Sequence, residues 1–186
     1  MVPLTSLLIP ILLSAMIVFV ASSVIHMVLG YHRSDFRALA KEDEVQGALR
    51  RFAIAPGDYV LPAPSGAQGM KSPEFIDRRR KGPVAIMTVL PAGDVAMGTS
   101  LALWFVYGVI VSLFAAYIAS RALPPGADYL SVFRFVGTTA FAGYSLALLQ
   151  NSIWFRRNWG MTLRSMLDGL IYALLTAGTF GWLWPQ

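Results

Sequence analysis

The stretch LTSLLIPILLSAMIVFVASSVIHMVL, residues 4–29, decides the fold, because it runs without one charged side chain. A bilayer core about 30 Å thick takes roughly 20 such residues as a helix, since backbone polar groups left unpaired in hydrocarbon are too costly. A cleaved leader needs a positive region ahead of a shorter apolar run. No Lys or Arg precedes Leu4, although Ala21-Ser22-Ser23 offers small residues. The expectation is therefore a retained span.

Outward from it, three more apolar stretches follow. Residues 96–120 contain LALWFVYGVIVSLFAAYIA and no charge, 130–155 carry only Arg134, near the start, and 165–184 carry only Asp168, also near the start. The chain is 56% hydrophobic and 13% charged, with a mean hydropathy of +0.58. Soluble domains carry about 45–50% apolar and about 25% charged residues. The pattern predicts an all-α integral membrane protein of four transmembrane helices, with a small α/β cytoplasmic cap between helices 1 and 2.

Lys and Arg near the span ends set the orientation. One side collects Arg33, Arg37 and Lys41, then Arg78, Arg79, Arg80 and Lys81, then Arg156, Arg157 and Arg164; the other holds Arg121 and Arg134. Both termini are then external, with 30–95 and 156–164 cytoplasmic. Trp182 and Trp184 suit the outer interface, and Trp154 and Trp159 the inner one. Twelve Arg against three Lys suggest a GC-rich bacterial source, and so the bacterial inner membrane.

Helices associate in lipid through close backbone approach at small residues. Such stripes recur every four residues: Gly108, Ser112, Ala116 and Ser120; Thr139, Gly143, Ala147 and Asn151; and Ser165, Gly169, Ala173, Ala177 and Gly181. They predict a tight bundle, with a face left over for a homo-oligomer or a membrane complex. No charged stripe runs through the apolar stretches, which argues against a pump or voltage sensor.

The 30–95 segment differs in composition. Residues 33–52 read as an amphipathic helix with Ser34 as N-cap. Residues 58–61 and 84–90 have extended character. They either pair as strands, which is the expectation, or 84–90 lies at the interface. Between them 62–72 is rich in Pro, Gly, Ala and Ser. The run Arg78-Arg79-Arg80-Lys81 suits an anionic inner leaflet, at roughly 1 kcal/mol per cation. No interleaved aromatics point to nucleic acid.

The absence of Cys removes disulfides, thiolate metal sites and thiol nucleophiles, and two His are too few for a multi-histidine cluster. No phosphate-binding or hydrolase motif is present. What remains is a convergence of polar groups at the inner ends of helices 1, 3 and 4: His26, Gln150, Asn151, Asp168 and Tyr172. This cluster either satisfies itself or binds a small ligand. A metal variant would use His26, His32 and Asp35, a set open to zinc, iron or manganese; otherwise no cofactor is expected. Packing surfaces outnumber catalytic groups, so the expected role is non-enzymatic: an accessory, scaffold or assembly protein. The alternative is a small lipid- or ligand-handling enzyme or transporter built on the polar cluster.

Overall fold

The uncharged N-terminal run forms one continuous helical stretch, Leu4–Leu29, in the computed structural model, which describes residues 1–94 and 96–186. Val95, in the segment expected over 30–95, lies outside the described residues. In chain order the elements are α1 (Leu8–Val24), α2 (Glu42–Arg50), β1 (Gly57–Leu61), α3 (Gly66–Gly69), α4 (Pro73–Lys81), β2 (Ala85–Val89), α5 (Met97–Ala122), α6 (Tyr129–Ser145), α7 (Leu149–Ile153) and α8 (Trp159–Trp182). The protein is mostly helical, with one two-stranded sheet. Three helical stretches are long and apolar enough to cross a membrane: Leu4–Leu29, Met97–Ala122 and Tyr129–Ile153. They mark the chain as a membrane protein. At 24 residues α8 matches them in length, but Arg164, Asp168 and several Gly and Thr make it less apolar.

Two compact units emerge: Met1–Phe36 with Ala96–Gln186, and Arg37–Val95. The first is helical. In it α6 lies along α8 and against α5, and α1 packs on both α5 and α8. Near the termini, Leu7, Ile11, Ala115, Val132, Val136 and Phe180 belong to one apolar core cluster. Val18, Val111, Ala140, Tyr144, Tyr172 and Ala173 belong to a second. The Trp184 indole donates to the Pro124 carbonyl at 3.0 Å, tying the C-terminus to the α5–α6 turn.

The small-residue faces are largely consumed inside this unit. Gly108 faces the Ala15 backbone, Gly143 faces Val111, and the missing Cβ of Gly169 would fall on Ser145. On α6 the buried line is Val132, Val136, Ala140 and Tyr144, one position away from the expected Thr139-Gly143-Ala147-Asn151 stripe. Larger side chains thus fill the α6 seam while α5 and α8 supply its small ones. The stripes account for packing within one chain and leave less support for self-association.

Three boundaries differ from the sequence reading. The helix expected over 33–52 is confined to Glu42–Arg50: residues 31–34 form turns, and Lys41 enters the helix with φ 58° and no capping side chain. Residues 30–36 belong to the helical unit instead of the 30–95 segment. The last helix starts at Trp159, six residues before Ser165, because the Asn158 side chain caps it by accepting from Gly160 N at 2.7 Å.

The Arg37–Val95 unit is built on a hairpin. Its strands are antiparallel with Gly57 opposite Val89 and Leu61 opposite Ala85, and Thr88 donates to Asp58 across them at 2.6 Å. The α4 helix begins with Ser72 accepting from Phe75 N at 3.2 Å and Pro73 in the first turn. It ends with Arg78 to Lys81, where cations meet the negative end of the helix dipole. Among the described residues of this unit, Phe75 is the one large apolar side chain that is buried.

Candidate functional site

The site grows from the way α1 ends. Its last residues, Ile25–Leu29, widen into a π-helical turn that carries His26. Such turns are uncommon and recur at functional sites. Gly30 then adopts φ 65°, the left-handed conformation that a side chain disfavours. The chain closes into successive turns, with Arg33 N donating to Gly30 O and Asp35 N to His32 O. These turns send Tyr31, His32 and Asp35 toward α8, which presents Arg164 and Asp168 four residues apart on one face.

The five side chains form one network. His32 Nε2 lies 2.8 Å from Asp168 Oδ2, and His32 Nδ1 lies 2.6 Å from Asp35 Oδ2. The Tyr31 hydroxyl donates to the other Asp168 oxygen, and Arg164 reaches Asp35 through Nε at 2.9 Å and through Nη2. The Asp35 and Asp168 side chains are each only 5% exposed, so neither carboxylate relies on bulk water. Removing either charge's partner would leave it buried and uncompensated. His26 stacks on His32, with ring centroids 4.7 Å apart and planes within 3°, while its Nδ1–H donates to Ser22 O at 2.9 Å.

One turn further along α8, the Tyr172 ring packs against Trp104 and Tyr144. Trp104 donates to Ser22 Oγ at 2.9 Å. The Tyr172 hydroxyl, one turn along α8 from Asp168, is buried without a hydrogen-bond partner among the described residues.

Within the network, two groups outside the spans titrate abnormally. Burial pushes the Tyr31 phenol up to about 12, helped by its bond to the Asp168 carboxylate and by the negative charges of Asp168 and Asp35. Burial would raise the Asp35 carboxyl too, but the hydrogen bonds from His32 and Arg164 outweigh it and hold Asp35 below its usual value. A phenol whose pKa is raised by folding stabilises the fold below its ordinary value near 10. That contribution is lost as pH climbs toward about 12. A Tyr31→Phe variant is expected to show a shallower fall in melting temperature over that alkaline range than the wild type. Parallel curves would show that the phenol does not titrate with folding.

The structure rearranges the expected cluster. His26, Asp168 and Tyr172 lie together, but Gln150 is exposed and neither it nor Asn151 bonds into the network. Asp168 is nine residues into α8, too deep for the helix N-terminus to stabilise it, so Tyr31 and His32 take that role. The metal-capable trio is also different. One ligand atom each from His26, His32 and Asp168 lie within 4.8 Å of one another, whereas Asp35 is turned to the far side of His32 and held by Arg164. Tyr31, Arg164 and Trp104 were not among the expected site residues, Arg164 counting only as a cation at a span end. The Arg164–Asp168 spacing on one helix face was the available signal for Arg164; nothing local marks the other two. Arg78, Arg79, Arg80 and Lys81 are all exposed on α4, and Lys81 pairs with Asp77 at 2.7 Å.

No protein-family model matches this chain, and no curated protein or solved structure shows significant similarity to it. The site therefore has to be read from its own chemistry: a buried, hydrogen-bonded His–carboxylate network with one exposed imidazole stacked on its edge.

Proposed function

We propose that this chain is a four-span protein of the bacterial inner membrane with an accessory or assembly role, exerted through its Arg37–Val95 unit. In this reading α8 is the fourth span, both termini are external, and the Arg37–Val95 unit is the cytoplasmic α/β element between the first two spans. The observation that carries it is the poor core of that unit. A two-stranded hairpin is marginal alone, and among the described residues of the unit Phe75 is the single large buried apolar side chain, while Phe52 and Leu90 are 74% and 72% exposed. Exposed apolar side chains in a unit that also carries four consecutive exposed cations suit the surface of an anionic leaflet or of a partner bound there. The small-residue faces, by contrast, are mostly spent inside the helical unit, so the reading rests on this unit and not on them.

The chain contains no Cys, which makes single-cysteine labelling clean. Lys71→Cys is expected to react with a membrane-impermeant maleimide in inverted inner-membrane vesicles and to stay unlabelled in right-side-out ones. Leu90→Cys is expected to label at least several-fold more slowly in inverted vesicles than in detergent-purified protein, because the leaflet or a partner covers it. Labelling of Lys71→Cys from the periplasmic side would reverse the topology. Equal rates at Leu90→Cys would remove the docking role.

A further inference from the structure

We propose that His26, His32 and Asp168 bind a divalent transition-metal cation of the zinc class, a site that goes beyond the accessory role above and stands independently of it. The three ligand atoms already lie within 4.8 Å of one another. Zinc holds imidazole nitrogen and carboxylate oxygen at about 2.0–2.2 Å, which puts tetrahedral ligand atoms about 3.3–3.5 Å apart. As the cation enters, His32 Nε2 and Asp168 Oδ2, now 2.8 Å apart, must part by about 0.5 Å, and His26, which is exposed and has room to move, supplies the remaining closure.

Orientation of the nitrogens supports the assignment. A metal-binding imidazole usually donates its second N–H to a carbonyl or carboxylate, which fixes the tautomer and ring direction. Both histidines have that arrangement: His26 Nδ1–H is given to Ser22 O, and His32 Nδ1–H to Asp35, itself clamped by Arg164. Each is left with Nε2 as the ligating atom. Tyr31 occupies one oxygen of Asp168, leaving Oδ2 for the cation. A structural ion-pair network alone accounts for His32 between its two carboxylates. It leaves His26 without a role: the ring lies parallel to His32 yet shares no hydrogen bond with the network, and it brings a free nitrogen to the carboxylate once the exposed imidazole turns out of the stack toward the cation.

Two imidazoles and one carboxylate favour zinc-like ions over calcium or magnesium, which prefer all-oxygen sites. Three protein ligands leave a fourth position open to water or a small ligand. A cavity of about 310 Å³ bordered by Ser22, His26, Met97, Leu101 and Trp104 adjoins it. Each of the two His32 nitrogen–oxygen contacts needs a proton. Cation entry between Nε2 and Oδ2 displaces the proton held there into solvent, so binding is coupled to proton release.

The test uses full-length protein in mild detergent, with a histidine-free tag, stripped with EDTA and dialysed against Zn²⁺. One equivalent is expected to bind, with release of about one proton in weakly buffered solution. Co²⁺ in its place is expected to give the intense absorption bands of a tetrahedral site. His26→Ala, at an exposed position, should melt like the wild type without metal but lose at least tenfold in Zn²⁺ affinity. Asp35→Asn should keep the stoichiometry and weaken binding about ten- to a hundredfold. Folded wild type that takes up no stoichiometric Zn²⁺ overturns the site, and so does Zn²⁺ uptake that His26→Ala leaves unchanged.

Discussion

Arg164→Leu is expected to lower the unfolding free energy by about 2–3 kcal/mol. Breaking a fully buried ion pair costs about 3–5 kcal/mol, because the abandoned charge stays out of water. Asp35, with 5% of its side chain exposed, would be abandoned in that way. Arg164 is 32% exposed, so water reaches its own end of the pair and the effect is placed below that range. The consequence extends past the pair, because Asp35 also accepts from His32, whose other nitrogen faces Asp168. Unfolding of the full chain in mixed micelles by a denaturing detergent gives the measurement. The informative comparison is with Asp35→Asn, which removes the charge that Arg164 neutralises. In that background Arg164→Leu should cost about 1 kcal/mol or less, since residues in one network are not additive. An unchanged cost would mean that Arg164 acts through packing of its aliphatic stem.

Gly169→Leu is expected to abolish the folded state of the helical unit. The α6–α8 interface closes at this glycine, where an added Cβ would stand 2.1 Å from Ser145 Oγ, 3.1 Å from Tyr144 Cβ and 3.2 Å from the Tyr144 carbonyl oxygen. The serine hydroxyl can rotate away, but the Tyr144 backbone cannot. Even Gly169→Ala should cost about 1–3 kcal/mol, the usual penalty for overfilling a close-packed seam. The same helix supplies its own control. A Cβ at Gly178 would meet only the Tyr129 hydroxyl, at an ordinary 3.6 Å. Gly178→Ala should therefore be neutral or stabilise by up to about 1 kcal/mol through helix propensity. Thermal melts of the three variants in one detergent decide the matter. A Gly169→Leu protein that melts near the wild type would show that α6 and α8 do not meet in this register.

Membrane character was legible because it is a local property: an uncharged apolar run such as 4–29 has one low-cost environment, whatever the rest of the chain does. The hairpin was legible for a similar reason, since Val84, Ile86, Thr88 and Val89 favour extended backbone. Helix boundaries were less so. Asp168 stands near the start of the apolar run 165–184, yet the helix begins six residues before that run, at Trp159, where Asn158 caps it. That six-residue difference puts Asp168 beyond the reach of the helix N-terminus and leaves a buried carboxylate that side chains from another segment must satisfy.

Residue pattern alone determined the lipid-seeking helices and the two short strands, both consequences of what neighbouring residues prefer. Tertiary structure decided which polar groups meet. Tyr31 and His32 reach Asp168 across more than 130 residues because a π turn and a left-handed glycine redirect the chain after α1. It also decided that Asp35 braces His32 on one side while Asp168 sits on the other, within reach of His26. Spacing in sequence could not separate those two carboxylates, because the difference lies in which buried charge has Arg164 beside it and which has only hydrogen-bond donors.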